Sequence, residues 1–127
     1  MTSPVEGNVT PEMRLPLWRA MSELFLDTEI EDWMYRDIAR EIRASGLTLA
    51  EAESVFWNEV YPGLWSNLAS AAGVWNGFDA QWLRDYLKVK PMRRPRRRFF
   101  PGIASEMRAH WACVVREYQD GQERAAS

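Results

Sequence analysis

The sequence offers one histidine and one cysteine for catalysis or metal binding, and they lie three residues apart as His110 and Cys113. That spacing brings two side chains together on one face of a helix. A cysteine–histidine nucleophile also requires a third group that orients the histidine. Because Trp111 and Val114 are typical of buried positions, we interpret the pair as a packed cysteine and an ordinary histidine. A single cysteine also excludes an internal disulfide framework and a multi-cysteine zinc site.

Other catalytic signatures are missing from the sequence, which has no glycine-rich phosphate loop, nucleophile elbow or HExxH pattern. Glu59 and Asp79 flank aromatic segments, but nothing in their spacing pairs the two carboxylates. We therefore expect a protein that is not an enzyme, with no catalytic residue, no cofactor and no metal site.

Carboxylates are concentrated between residues 27 and 37. They are Asp27, Glu29, Glu31, Asp32 and Asp37. A solvated turn explains them, because the helix dipole favours carboxylates at the start of a helix. The alternatives are an acidic surface that docks onto a basic groove of a partner, and a cation site. A calcium loop also needs a glycine at its sharp turn and a closing glutamate, and this segment lacks both.

Basic residues are concentrated in one later segment, residues 88–98, where seven of eleven residues are cationic. Its arginines and the aromatics that follow are Arg93, Arg94, Arg96, Arg97, Arg98, Phe99 and Phe100. Arginine forks suit phosphate oxygens and aromatic rings stack on bases, so nucleic acid is one possible ligand. The segment also suits a partner protein or the acidic part of its own chain. Residues 1–87 carry a net charge of −8 and residues 88–127 a net charge of +6, which favours the intramolecular interpretation.

Seven tryptophans in 127 residues are several times the usual share. A small helical bundle needs large side chains to fill its core, so we expect most of them to be buried. Trp18, Trp33 and Trp57 lie beside the apolar stripes of their helices. Because tryptophan is enriched at binding hot spots, we expect Trp33 and Trp57 to be half-exposed anchors for a partner.

Helical periodicity marks every well-defined segment, whereas no segment alternates polar and apolar residues over the length of a strand. The spacing predicts helices over residues 16–26, 32–45, 49–60, 62–72, 80–87 and 103–120. Before the first of these, residues 10–12 could start a short helix, with Thr10 as the N-cap and Pro11 as the first residue. Thr48 and Glu51 match a capping box, and Asp79 is the expected N-cap of the fifth helix. The fold class is therefore all-α, a compact bundle of five to six short helices with no sheet.

One domain is expected from the length of the chain. We predict a loose N-terminal tail over residues 1–14, a helical domain over 15–120 and a frayed C-terminus over 121–127. A basic proline- and arginine-rich linker over 88–102 precedes the last helix. No apolar run approaches the roughly eighteen residues of a membrane-spanning helix, and residues 1–14 lack the features of a secretory signal. We therefore expect a cytoplasmic protein without a membrane partner.

Three stretches of sequence carry a family resemblance: LPLWRAMSELFLDTE at residues 15–29, EVYP at 59–62 and GVWNGFD at 73–79. Together they resemble a family of small, uncharacterised bacterial helical proteins over residues 15–87. The resemblance implies a bacterial cytosolic helical domain, and it brings no activity and no catalytic residue.

The leading functional hypothesis is a non-enzymatic bacterial protein-binding module. Its most concrete form is an immunity or antitoxin-like protein that masks a basic toxin such as a nuclease, since complementary charge speeds such an association. The five clustered carboxylates would supply the charge, with Trp33 and Trp57 as anchors. The alternative is a nucleic-acid-associated regulator that uses residues 93–100.

Overall fold

The computed structural model describes residues 9–26, 28–69, 77–95 and 101–126. Of these residues, 79% are helical and none lies in a strand, which confirms the prediction of an all-α fold. They form five helical segments, α1 to α5. Within this part of the chain, no helix combines the length and the apolar character needed to cross a membrane.

Helix α1 spans Pro11–Ser22 and continues as a 3₁₀ turn over Glu23–Phe25. Thr10 caps it, because its hydroxyl accepts a hydrogen bond of 3.2 Å from the amide of Met13. The predicted start of the main helix at Pro16 is therefore wrong. Thr10 and Pro11 have the predicted cap and first positions, but they begin the main helix and not a separate short one. Pro16 lies inside the helix and costs it one backbone hydrogen bond without ending it.

Helix α2 spans Asp32–Ser45 and ends at Gly46, whose φ of +77° is the left-handed conformation that glycine adopts at a helix C-terminus. Its buried residues include Met34, Ile38 and Ile42, as the four-residue spacing predicts.

Helix α3 has three successive parts: Leu49–Val55, a π-helical turn over Phe56–Val60, and Tyr61–Ala69. The predicted capping box is present, with hydrogen bonds of 3.1 Å to the Thr48 hydroxyl and 2.9 Å to the Glu51 carboxylate. The predicted interruption at residues 61–63 is wrong. Pro62 has no amide for an α-helical bond, and the shift to bonds five residues back, such as Tyr61 N to Phe56 O, carries the helix past it. The predicted end of this helix at Gly73 lies outside the described residues.

Helix α4 spans Ala80–Tyr86, and the predicted N-cap is confirmed because Asp79 accepts a 2.9 Å hydrogen bond from the amide of Trp82. Leu83 and Leu87 are buried, whereas Trp82 and Tyr86 are exposed. The leucines and the aromatic residues of this helix therefore face in different directions.

Helix α5 spans Pro101–Ala126, so the predicted end before Gly121 is wrong. Gly121 allows close packing: a Cβ atom at this position would collide with the guanidinium of Arg43 on α2. That guanidinium donates a 3.2 Å hydrogen bond to the Tyr118 carbonyl and lies 5.3 Å from the centre of the Tyr118 ring. The glycine therefore lies inside the helix, beneath the end of the Arg43 side chain, and does not stop it.

The core lies where α3 is enclosed by the other helices. Helix α2 packs along α5, and α1 contacts α2, α4 and the π-helical turn. Phe56 stacks on Trp111 with ring centres 5.1 Å apart, and it also contacts Phe25 and Trp57. Large aromatic side chains therefore fill the centre of the bundle. Of the six described tryptophans, Trp18, Trp57 and Trp111 are buried, so the expectation that most are buried is not confirmed.

Candidate functional site

The predicted acidic residues lie around the start of α2. Glu29 is exposed in the preceding loop, and Glu31 and Asp32 are exposed at the N-cap and first position of the helix. Asp37 lies further along α2 and forms an ion pair of 2.8 Å with Arg40. Asp27 lies outside the described residues. These carboxylates therefore follow one end and one side of α2 and do not surround a single point.

The two predicted tryptophan anchors have opposite environments. Trp33 is 45% exposed, and its indole nitrogen donates a 3.2 Å hydrogen bond to Glu31. Trp57 is only 5% exposed, so its prediction as an accessible anchor is wrong. The π-helical turn widens the buried side of α3, and it directs Trp57 into the core beside Phe56 and Tyr61.

The first part of the basic segment is fixed along α3 by its backbone. The Arg93 amide donates to Ser54 at 3.2 Å, and the Asn58 side chain donates to the Arg93 carbonyl at 3.0 Å. The side chains of Arg93 and Arg94 are exposed. Backbone hydrogen bonds therefore hold this part of the segment against the acidic portion of the chain. Arg96, Arg97, Arg98, Phe99 and Phe100 lie outside the described residues.

A buried carboxylate, Glu59, joins this segment to the core. Its Oε1 atom accepts hydrogen bonds from Arg14 Nε at 3.0 Å and Trp18 Nε1 at 2.9 Å. Its Oε2 atom accepts from the backbone amide of Lys90 at 2.9 Å. Glu59 and Arg14 are 4% and 7% exposed. The charged pair is thus enclosed and hydrogen-bonded, and it links α1, the π-helical turn and the chain after α4.

His110 and Cys113 both meet Tyr35 where α5 packs on α2. The Tyr35 hydroxyl and His110 Nδ1 share a hydrogen bond of 2.7 Å. Burial, together with the neighbouring Cys113 thiol, raises the pKa of Tyr35 to about 12. Tyr35 is therefore a neutral phenol at physiological pH, and the three side chains connect two helices.

An aromatic ladder forms the most prominent exposed surface. It consists of Phe78, Trp82 and Tyr86, at successive spacings of four residues. The Trp82 ring stacks on Phe78 with centres 5.8 Å apart and on Tyr86 with centres 4.6 Å apart. Trp82 and Tyr86 are 42% and 51% exposed. The ladder borders a groove of about 600 Å³, whose opposite wall includes Leu64 and Asn67 of α3.

An acidic cleft of about 720 Å³ adjoins the ladder, and both are lined by residues 77–79. Its charged lining residues are Glu23, Asp37, Glu41, Asp79 and Arg19. The lining has four carboxylates and one guanidinium, and only Asp37 of these carboxylates has a further ion-pair partner among the described residues, Arg40, so the cleft carries excess negative charge. Burial and the nearby charge of Asp37 raise the pKa of Glu23, while Arg19 opposes the shift. The ionised form of Glu23 is therefore disfavoured by its surroundings and would be stabilised by an added cation.

Several contacts fix the position of the ladder. Gly63 of α3 lies so close to α4 that a Cβ atom there would come within 2.5 Å of Leu87 and 3.1 Å of Tyr86. Arg84 forms an ion pair of 2.6 Å with Glu12 of α1. Gly77, with a φ of +126°, makes the turn that leads into the ladder. Helix α4 is short, so these contacts, and not its own length, hold the exposed rings in place.

Comparison with known protein families gives one match. A domain of unknown function, DUF7079, matches residues 12–122. The chain belongs to the DUF7079 family. The match confirms the resemblance to an uncharacterised family, and it extends beyond residues 15–87 to include the basic segment and α5. No curated protein and no solved structure matches this DUF7079 chain.

Sequence reasoning missed the ladder and most of the acidic cleft. The spacing of Phe78, Trp82 and Tyr86 was a usable signal, because residues four apart share one face of a helix. Glu23 and Glu41 carried no signal, since only the fold brings them beside Asp37 and Asp79. Within the described ranges, no group of three or more histidine, cysteine or acidic side chains has the arrangement of a metal site.

Proposed function

We propose that this DUF7079 protein is a non-enzymatic protein-binding module that docks onto a basic surface of a partner protein. The observation that supports the proposal is the continuity of the aromatic ladder with the acidic cleft at residues 77–79. The ladder would supply apolar contact and the cleft would supply charge.

The composition of this surface suits protein recognition. Tryptophan and tyrosine are enriched among the residues that contribute most to binding energy. Trp82 and Tyr86 are exposed and already stacked, so little side-chain entropy remains to be lost when a partner covers them. The carboxylates of the cleft would speed the encounter with a cationic partner and fix its orientation.

Helix α2 extends the docking surface beyond the cleft. Trp33, Asp37 and Glu41 are spaced four residues apart and so share one face of the helix. Asp37 and Glu41 line the cleft, and Trp33 is exposed one turn before them. Of the predicted partner-binding residues, Trp33 and Asp37 therefore remain in the proposal, with Glu31 and Asp32 at its edge.

The most concrete form of the proposal is an immunity or antitoxin-like protein in the bacterial cytoplasm. Such a protein would cover the basic active-site cleft of a toxin, for example a nuclease, by charge complementarity.

The test is to isolate a partner from the native cell, purify it and measure its affinity for matched variants. Trp82→Ala should weaken binding by about 30-fold, which corresponds to about 2 kcal/mol at a hot spot. Met13→Ala is the control, because Met13 is 61% exposed but lies outside the ladder and the cleft. Affinity should also fall as salt is added. A partner whose affinity is unaffected by Trp82→Ala would contradict the proposal.

Nucleic acid is the second candidate ligand, and the anchored backbone of Arg93 favours it. The hydrogen bonds to Ser54 and Asn58 fix the main chain and leave the Arg93 and Arg94 side chains exposed. Against it, Glu51 and Glu53 line the same crevice and would repel phosphates. Submicromolar binding of generic single or double strands at 150 mM salt, lost on Arg93→Gln and Arg94→Gln substitution, would favour this function over the first.

A further inference from the structure

We propose that the docking site recognises arginine in preference to lysine, with the guanidinium between the aromatic ladder and the carboxylates of the acidic cleft. This inference rests on the proposed function, because it specifies the chemistry of the partner at the same surface. It follows from the two kinds of group that the site combines.

The first kind of group is a flat aromatic surface next to negative charge. Phe78 and Asp79 are consecutive, and both line the groove and the cleft. A cation that enters the cleft at this point is therefore also beside the ladder. Guanidinium groups stack on aromatic faces, whereas the lysine ammonium is a compact and strongly hydrated charge with no face to stack.

The second kind of group is the set of carboxylates. Planar guanidinium groups bind carboxylates through two parallel hydrogen bonds, which an ammonium cannot do. Among the described residues, one carboxylate of the cleft is ion-paired: Asp37, with the exposed Arg40. Glu23, Glu41 and Asp79 supply further oxygen atoms around the same space. The raised pKa of Glu23 agrees with a cleft that accommodates a cation.

The protein already uses this chemistry inside its own fold. The Arg43 guanidinium lies 5.3 Å from the centre of the Tyr118 ring and also donates to the Tyr118 carbonyl. Stacking and hydrogen bonding therefore act on one guanidinium at the α2–α5 contact. At the docking site, the aromatic and acidic groups are present and the cation would come from the partner.

The experiment measures fluorescence anisotropy of labelled, terminally blocked peptides that alternate glycine with arginine, lysine or citrulline. Citrulline keeps the planar shape of arginine without its charge. We expect the arginine peptide to bind at least tenfold more tightly than the lysine peptide, and the citrulline peptide to bind more weakly than both. In Phe78→Leu, which keeps apolar bulk but removes the aromatic ring that lines the cleft, the preference for arginine over lysine should fall below threefold. Met13→Ala should leave the preference unchanged.

Equal affinities for the arginine and lysine peptides, both lost on Glu41→Gln substitution, would overturn the inference and leave a basic partner as the proposed function. A preference for arginine that persists in Phe78→Leu would also overturn it, because the aromatic ring beside the cleft would then not be its cause. If no peptide binds, while the purified partner still loses affinity on Trp82→Ala, the inference falls and the proposed function stands.

Discussion

The Glu59–Arg14 pair provides the sharpest test of how this fold is held together. Replacing Glu59 by glutamine keeps the shape of the side chain and removes its charge. One glutamine oxygen can still accept from Arg14 and Trp18, but the amide nitrogen then faces the Lys90 amide, where two donors meet. Glu59→Gln therefore leaves a buried guanidinium without its counter-charge and the part-buried Lys90 amide without an acceptor.

The magnitude follows from the burial of both partners. Removing one member of a buried ion pair costs about 3–5 kcal/mol, and an unsatisfied buried amide costs about 1–3 kcal/mol. Both costs should fall below these ranges, because the glutamine oxygen remains a neutral acceptor for Arg14 and the Lys90 amide is only part-buried. We therefore expect a total loss of about 3 kcal/mol. That is a large part of the 5–15 kcal/mol typical of a domain, and it corresponds to a Tm lower by roughly 10 °C.

The assay is a double-mutant cycle in urea, monitored by far-ultraviolet circular dichroism and tryptophan fluorescence. Arg14→Met removes the cation and keeps the length of its apolar stem. The double variant Arg14→Met, Glu59→Gln contains no buried charge at this site. Its loss of unfolding free energy should be at least about 1 kcal/mol smaller than the summed losses of the two single variants, because it leaves no charge unpaired at this site. Thermal melts of the same proteins give a second measure.

Two results would refute this reasoning. A Glu59→Gln variant within about 1 kcal/mol of the wild type would mean that the pair is solvated and not enclosed. Additive effects of the two substitutions would mean that Arg14 and Glu59 stabilise the protein independently. A matched control is Arg40→Met, which breaks the exposed ion pair with Asp37 and should change stability by less than about 1 kcal/mol.

Four further predictions concern stability. Thr48→Ala should destabilise the protein by about 1 kcal/mol in urea, because the start of α3 loses its cap; a change below about 0.2 kcal/mol would contradict this. Gly63→Ala should cost about 1–3 kcal/mol, because the new Cβ atom overlaps the buried Leu87 side chain; an unchanged urea midpoint would show that the two helices separate freely. Tyr35 keeps its proton up to a pKa of about 12 in the folded protein, so its stabilising effect should be complete below pH 10 and lost between about pH 10 and 12. The stability difference between the wild type and Tyr35→Phe, measured in urea, should shrink over that range, and a constant difference would contradict the assignment. Because the pKa of Glu23 is raised, its ionisation weakens the fold, so Glu23→Gln should raise the Tm at pH 7. The gain should disappear below the ordinary carboxyl pKa, and an equal gain at every pH would contradict this reasoning.

Local signals in the sequence were sufficient for most of the helix boundaries. The caps at Thr48, Asp79 and Gly46 depend on residues within four positions of each other, so the sequence contains all that is needed to place them. The errors occurred at residues that usually end or interrupt a helix. Pro16 and Pro62 each cost one backbone hydrogen bond, and Gly121 is typical of a helix end, yet the helix continues past all three.

The site was less predictable because it depends on which helices meet. Trp57 lies beside the apolar stripe of an ideal α-helix, and only the π-helical turn places it in the core. Glu59 is an ordinary charged residue in the sequence, yet it accepts hydrogen bonds from residues more than thirty positions away on both sides. The sequence does not show which face of α4 is exposed, because that depends on how α4 packs against α3. The close approach of α4 to Gly63 covers the Leu87 side and leaves Trp82 and Tyr86 exposed.

The charges of this protein form two systems with different roles. Around Glu59, each carboxylate oxygen has donors and water is excluded, so the charge serves the fold and offers nothing to a ligand. Around Glu23, four carboxylates line an open cleft with one arginine, and the fold leaves their repulsion only partly balanced. The repulsion between these carboxylates lowers stability, and such a cost is typical of a binding surface, because a partner's cation would relieve the repulsion. The contacts of Gly63 and Arg84 then hold the aromatic ladder beside that cleft. A partner that brings both a positive charge and a flat group to this point would satisfy both halves of the surface together.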